Sequence, residues 1–253
     1  MTAAVIQARM MSTRLPGKVL KPIMGRPMLS YQIERLRFCR SLDEIIIATT
    51  INSNDDPIIA FAEKEGLKFY RGSEEDVVDR YYQTAKKFRI DPIVRVTSDC
   101  PLIDPALCDH FIQVYINSNV DYVHTGNTFA EGLDCEIISF NALEKIWREA
   151  SLKSEREHVT LYLNNHPELF KKFTLVSETD DSRYRICVDE PEDFSVVKMI
   201  FEALYRNNAQ PFSFAKVKNF LDNNPSIYKL NSSVMRNEGL LKSLAKDKPV
   251  KTS

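Results

Sequence analysis

The sequence predicts an α/β protein with a mainly parallel sheet and helices on both faces. Three observations predict it. Short β-branched runs recur, at Ala4-Val5-Ile6, Ile45-Ile46-Ile47-Ala48 and Ile93 to Thr97. Segments of helical periodicity lie between them, and the first run breaks at once into a cationic, turn-prone loop. Strand–helix–strand units of this length return the chain to the same sheet edge, so the strands pair in parallel and the helices cover the faces. Ligands of such sheets sit beyond the carboxyl ends of the strands, here just after Ile6, Ala48 and Val96.

The elements follow in order. The loop after Ile6 carries Arg9, Arg14 and Lys18, with Pro16 and Gly17 before the last cation. Leu29, Ile33 and Leu36 then repeat at i, i+4, i+7 behind Pro27, a residue suited to a first helical turn. After the Ile45 run, a helix from Pro57 is expected to be capped by Asp56 and ended by Gly66. Lys68-Phe69-Tyr70 reads as a short strand, and Val77, Tyr81, Ala85 and Phe88 as one helix face. Ile93 to Thr97 is the next buried strand, and Asp104-Pro105 opens a helix whose Leu107, Phe111 and Val114 share a side. In the second half, Asp121 to His124 and Cys135 to Ser139 read as strands around a loop with Gly126 and Gly132. Ser154-Glu155-Arg156-Glu157 fits a capping box, Tyr184 to Val188 a strand, and Pro191 to Tyr205 an amphipathic helix. Residues 1–206 form the main domain, and residues 207–253 a partly helical C-terminal extension packed on it, frayed from 246 to 253.

A chain of 253 residues buries a sizeable core without disulfides or a structural metal. Lysine and arginine number 34 against 35 acidic residues, so nothing marks a nucleic-acid partner and any positive field is local. Five cysteines without a C-x-x-C pair read as free thiols in a reducing compartment. No apolar run approaches the ~18 residues of a membrane span, and no secretory leader is evident, so a cytoplasmic protein is expected.

Three constellations carry chemistry. The first is the cationic loop, a natural cradle for polyphosphate although neither the Walker loop nor the dinucleotide fingerprint is present. The second is Thr97-Ser98-Asp99-Cys100-Pro101 at a strand end, where Asp99 either offers a hard oxygen to the Mg²⁺ of a nucleotide or caps the turn before Pro101. The third is Asp189-Glu190-Pro191-Glu192-Asp193, which reads as ordinary helix capping or supplies a second metal ligand if the fold brings it beside Asp99.

These residues resemble a known family. AVIQARMMSTRLPGKVLKPIMGRPML is similar to the opening of the nucleotide-sugar cytidylyltransferases, the group that makes CMP-activated sugar acids. The likeness continues through IIIATTINSNDDPI, FYRGSEEDVVDRYYQTAKK, VRVTSDCPLIDP, EGLDCEIISFNALEKIWREA, SEREHVTLYL and RICVDEPEDF, and returns in NEGLLKSL. It covers roughly residues 3–206 and is nearest the branch named after spore coat polysaccharide biosynthesis protein F. The resemblance implies a nucleotide-diphospho-sugar transferase fold, related to the A-type glycosyltransferases. It implies CTP and a small sugar acid as substrates, Mg²⁺ as cofactor and a homodimer. Arg14 and Lys18 would hold the triphosphate, completed by Arg9 and the backbone near Ala8. Asp99 and Asp189 match the metal-binding aspartates, and Ser73 and Arg80 lie where relatives contact or shape the nucleotide pocket. Glu131 to Glu136 and Glu155 to His158 match stretches expected on the sugar side. Arg183 and Arg185 are candidate partners of a substrate carboxylate by position. Met11 and Ser98 stand where relatives commonly carry glycine, which would crowd the nucleotide if those glycines use positive φ or close approach.

The expected reaction is attack of a sugar hydroxyl on the α-phosphate of CTP, with pyrophosphate leaving and Arg14, Lys18 and Asp99 as the catalytic groups. Three alternatives remain at this stage. One is a glycosyltransferase, against which the single carboxylate of Ser98-Asp99-Cys100 speaks. Another is a nucleotidyltransferase using a different triphosphate and a sugar phosphate. The last is a nucleotide-binding module without catalysis.

Overall fold

The computed structural model of the chain describes residues 1–207 and 210–250. Inside its sheet lies β1 (Ala3–Gln7), with Ala4 and Ile6 on one face, Ala3 and Val5 on the other, and all four fully buried. A strand apolar on both faces is stable only between strands and under two helical layers. A short hairpin of β2 (Pro22–Ile23) and β3 (Arg26–Pro27) follows. Next come α1 (Met28–Leu36), β4 (Glu44–Thr50), α2 (Asp56–Lys64), β5 (Lys68–Gly72), α3 (Val77–Phe88), β6 (Ile93–Thr97) and α4 (Pro105–Asn117). The second half holds β7 (Tyr122–Thr125), β8 (Glu136–Ile138), α5 (Phe140–Glu149), α6 (Lys153–Glu157), α7 (Leu161–Asn165), β9 (Lys172–Leu175) and α8 (Pro191–Leu204). Three helices end the described chain: α9 (Phe214–Asn223), α10 (Pro225–Tyr228) and α11 (Glu238–Leu244).

The main sheet has seven strands in the order β5-β4-β1-β6-β8-β7-β9. β1 pairs in parallel with β4 and β6, β4 with β5, and β7 with β9, whereas β8 runs antiparallel to both its neighbours. One face is covered by Leu29, Ile33 and Leu36 of α1, Ile58 and Phe61 of α2, Phe111 of α4 and Phe194, Val197 and Phe201 of α8. The other is covered by Val77, Tyr81 and Ala85 of α3, Leu143 and Ile146 of α5, and Leu163 of α7. Asp104 caps α4 as expected, accepting from the N–H groups of Ala106 and Leu107. Gly66 ends the turn after α2 at φ +67°. Among the described residues no helix is long and apolar enough to cross a membrane.

Four local expectations are corrected. Tyr184 to Val188 is not a strand of the sheet, because it pairs instead with the loop at Glu131. Glu131 N–H donates to Tyr184 O at 3.0 Å, and Ile186 N–H to Glu131 O at 2.8 Å. Asp56 does not cap α2. It pairs with Arg71 at 2.8 Å, while Asp55 holds the N-cap position without a side-chain cap bond. The capping box is displaced by two residues toward the N-terminus, because Glu155 reaches back to the N–H groups of Ser151 and Leu152, leaving Ser154 to bind Asp247. Residues 246–250 are held rather than frayed: Lys153 N–H donates to Lys248 O at 2.9 Å and Val250 N–H to Ser151 O at 2.6 Å. Residues 251–253 of that expected frayed end, and 208–209 of the extension, lie outside the described residues.

Gly132 makes the docking of the Glu131 loop possible. It adopts φ +105°, and a Cβ there would lie 2.5 Å from the N of Cys187 and 2.7 Å from the C of Ile186. Gly132→Ala is therefore expected to cost roughly 3 kcal/mol or more, since both the φ and the backbone collision must be relieved. Urea unfolding would check it, and a loss comparable to an ordinary surface substitution would contradict the close approach.

Candidate active site

The loop after β1 is folded by its own hydrogen bonds. Ser12 N–H and Gly17 N–H both donate to Met10 O, and Gly17 stands at φ +71°, the left-handed turn that releases the chain into Lys18–Leu20. Asp55, at the N-cap of α2, accepts from Met10 N–H at 2.6 Å and from the Thr50 hydroxyl. Ala8 N–H is spent on the sheet, donating to Ala48 O at 3.1 Å. Among the described residues, the N–H groups of Arg9, Met11, Thr13 and Arg14 have no hydrogen-bond partner. Backbone donors of this kind beside two cations have the chemistry of an anion-binding concavity.

Lys18, Asp99 and Asp189 meet at the carboxyl end of the sheet. The Lys18 ammonium donates to Val188 O at 2.6 Å and Asp189 Oδ1 at 2.8 Å, and lies 3.7 Å from Asp99 Oδ2. The residue is 8% exposed. Burial works against its charge, but Asp99 and Asp189 raise its pKa above the ordinary lysine value. Burial likewise opposes the charge of Asp189, yet Lys18, Arg14 and Arg185 hold its carboxyl below the usual carboxylate range. Val188 N–H donates to Asp99 O at 2.8 Å, so the two aspartate segments are also joined through the backbone. The fold thus brings the second and third sequence constellations together.

Arg14 reaches the same cluster, 3.0 Å from Asp189, 3.2 Å from Glu190 and 3.0 Å from Glu238. Glu238 begins α11 and was not singled out from the sequence, although the returning likeness in NEGLLKSL contains it. Arg185 is engaged by Glu131, Asp189 and Asp193, and Arg183 by Asp222 on the surface. Neither of these two arginines presents a guanidinium unclaimed by protein carboxylates. Asp193 is the hub beneath, accepting from Arg185, from Asn231 and from the N–H groups of Asp189 and Glu190.

The remaining predicted residues fall in three places. Ser73 lines an open groove of about 670 Å³ with Asn52, Tyr70, Arg71 and Glu74, and Arg9 reaches Glu74 at its rim, 3.4 Å away. Arg80 is 2% exposed and donates to Ser73 O at 2.7 Å, so it shapes the groove from behind. Of the Glu131 to Glu136 stretch, Glu131 faces Arg185 and Asn237, while Asp134 braces the N–H of Gly132 and Glu136 turns into the core. Glu155 is buried as a helix brace, and His158 Nε2 lies 2.9 Å from Ser243 Oγ on α11. Met11 is half-exposed and Ser98 is buried with its N–H on Gln7 O; neither adopts positive φ.

Glu136 joins Arg95, Tyr122 and Thr160 in a network that also reaches Gln7, the residue before the cationic loop. Burial would raise its carboxyl, but Arg95, Tyr122 and Thr160 hold it below the ordinary range. Its stabilisation is therefore full above the unfolded value of about 4.3 and lost as pH falls through the folded one. Arg95→Met should cost on the order of 3–5 kcal/mol at pH 7, because the carboxylate stays buried without its cation. The cost should shrink at pH 3, because without Arg95 nothing cationic holds the buried Glu136 carboxyl in its charged form and it takes up a proton more readily than in the parent. Urea titrations at both pH values test this, and an equal loss at each would show the pair to be electrostatically idle.

Known proteins share this fold. The model of the family described as cytidylyltransferase matches residues 3–234. The spore coat polysaccharide biosynthesis protein SpsF of Bacillus subtilis is 36% identical over 205 residues, 78% of this chain and 85% of that protein. A solved cytidylyltransferase from Leptospira borgpetersenii superposes with a TM-score of 0.85 at 36% identity, covering 90% of this chain and 96% of that one. The solved CMP:2-keto-3-deoxy-manno-octonic acid synthetase complexed with CTP has the same fold, with a TM-score of 0.61 at 19% identity over 79% of this chain and 98% of its own. The architecture is the nucleotide-diphospho-sugar transferase fold. The chain belongs to the cytidylyltransferase family, in the branch of the spore coat polysaccharide protein.

Proposed function

We propose that this nucleotidyltransferase moves CMP from CTP to a sugar acid of the octulosonate or nonulosonate type, releasing pyrophosphate, in the making of a surface polysaccharide. The observation that carries the reading is the convergence of Arg14, Lys18, Asp99 and Asp189 at the strand ends. Two cations with unpartnered loop N–H groups suit a triphosphate, and two carboxylates beside them suit its metal.

The donor set fits Mg²⁺. Asp99 and Asp189 both face one ammonium, and no third His, Cys, Asp or Glu side chain among the described residues joins them as a ligand set. Mg²⁺ is typically bound by one or two carboxylates with phosphate oxygens and water completing the shell. The buried Cys100 thiol, pushed up in pKa by burial and by Asp99, is no competing soft ligand. Asp99 and Asp189 would hold the ion, and when bound it would neutralise phosphate charge and polarise the reacting centre. Arg14 and Lys18 grip the phosphates and stabilise the departing pyrophosphate. Arg80, through Ser73, shapes the groove where the nucleoside would lie. CTP and the sugar acid are suggested by the relatives, and Mg²⁺ by the donor chemistry.

The direct experiment is pyrophosphate release with Mg²⁺, four nucleoside triphosphates and a panel of sugar acids and sugar phosphates. Release with CTP and one sugar acid is expected. Release only with another triphosphate overturns the nucleotide assignment, and nucleoside diphosphate release from a nucleotide sugar would instead mark a glycosyltransferase. Asp99→Asn should lose about 10²–10³ in rate. Glu238→Gln relieves Arg14 of one of its three carboxylates, so KM for CTP should fall about two- to fivefold while kcat holds. An unchanged KM would show that Glu238 does not compete with the triphosphate.

A further inference from the structure

The turn that presents Asp99 lies between the end of β6 and the start of α4, and several of its carbonyl groups are taken by side chains rather than by sheet or helix bonds. Three of them, at Thr97, Cys100 and Ile103, recur every third residue and are gripped by two side chains of α1. Gln32 Nε2 donates to Thr97 O at 2.7 Å and to Cys100 O at 3.0 Å. Arg35, one turn further on, donates from Nε to Ile103 O at 2.6 Å and from Nη2 to Phe212 O at 2.8 Å. Gln32 is fully buried and Arg35 is 3% exposed. Both partners of Gln32 are carbonyls, which only accept, so the amide nitrogen must face them. Burial pulls the Arg35 guanidinium down to about 10, with Asp104 and Glu34 opposing it, and its central carbon lies 4.7 Å from the Phe212 ring centre.

We propose that Gln32, with Arg35 behind it, is a positioning residue for Asp99: α1 fixes the turn so that the Asp99 carboxylate stands beside Lys18 and Asp189. The inference rests on Asp99 being the metal-binding carboxylate. One carboxamide bridges the Thr97 and Cys100 carbonyls, with Asp99 between them. The turn's own bonds, Cys100 N–H to Thr97 O and Ile103 N–H to Cys100 O, are long at 3.3 and 3.2 Å. The Cys100 thiol completes the arrangement, 3.4 Å from Asp99 Oδ1, while Asp99 Oδ2 faces Lys18. Side chains i and i+3 on a helix share a face, so a single rigid element sets the whole turn. α1 also packs against the Lys18–Leu20 turn, which ties the cationic loop and the metal carboxylate to one support. A carboxylate displaced by about 1 Å at such a site forfeits about 10²-fold in rate.

The test uses the full chain, with Mn²⁺ as the probe ion in the presence of CTP, bound Mn²⁺ being read by electron paramagnetic resonance. Gln32→Met should weaken Mn²⁺ binding to the CTP complex about 10- to 100-fold. CTP binding without metal, which the cationic loop controls, should change less than about twofold, and Gln32→Met should add no further loss to Asp99→Asn. Weakened thermal stability with unchanged Mn²⁺ binding would make Gln32 merely structural and overturn the inference. If Asp99→Asn itself binds Mn²⁺ normally, the metal-ligand reading falls and the positioning role falls with it. If Asp99→Asn loses Mn²⁺ while Gln32→Met does not, only the positioning role falls. Should Gln32→Met fail to fold, Gln32→Asn replaces it, since a shorter amide cannot span both carbonyls. Side-chain amide exchange of Gln32 in the unaltered protein then gives a second reading: solvent-rate exchange would overturn the clamp, and protection that persists with CTP and Mn²⁺ would support it.

Discussion

A buried ammonium holds this site together. Lys18 draws the loop after β1, the turn after β6 and the segment before α8 onto one charge, through Asp99, Asp189 and the carbonyl of Val188. None of these segments could enclose it alone. An ammonium with so little exposure is tolerable only when paired and hydrogen-bonded, so the loop and both aspartates are required to meet. The site's geometry is in this sense a consequence of desolvation: the cation determines how near the carboxylates must come.

The carboxylates are organised in turn by buried groups behind them. Asp193, fully buried at the third position of α8, takes the N–H groups of Asp189 and Glu190 and the guanidinium of Arg185. It therefore satisfies the helix's orphan donors and aligns Asp189 at once. Arg185 links this cap to Glu131, whose loop can approach only because Gly132 has no side chain. On the opposite side, α1 holds the Asp99 turn by its carbonyls. The aspartates are thus supported from two directions, by a helix N-terminus and by a helix face.

The C-terminal segment belongs to this machinery in space. Asn231 binds Asp193, Arg236 binds the carbonyl of Phe129, Asn237 meets Glu131 and Glu238 meets Arg14. Ser243 and Asp247 then fasten the chain to His158 and Ser154. The segment spans from the cationic loop to the stretches expected near the sugar, and among the described residues Glu238 is the one carboxylate on Arg14 that comes from outside the sheet connections.

The parallel core and the cationic loop could be read from the chain because each is local. Apolar runs set β1, β4 and β6, and Arg14 and Lys18 lie a few residues beyond a strand end. Asp189 could be nominated by likeness, but its approach to Lys18 spans 171 residues and depends on tertiary packing. The misplaced strand at Tyr184 to Val188 has the same origin: its apolar pattern fixed burial, while its pairing partner was a distant loop. Glu136, expected near the sugar, is drawn inward because Arg95 already sits in the buried face of β6. Sequence by itself determined which segments are apolar, which turn, and which loop is charged, since those follow from neighbouring residues. The tertiary structure alone decided which charges meet, because the cost of burying a charge depends on partners that arrive from elsewhere in the chain.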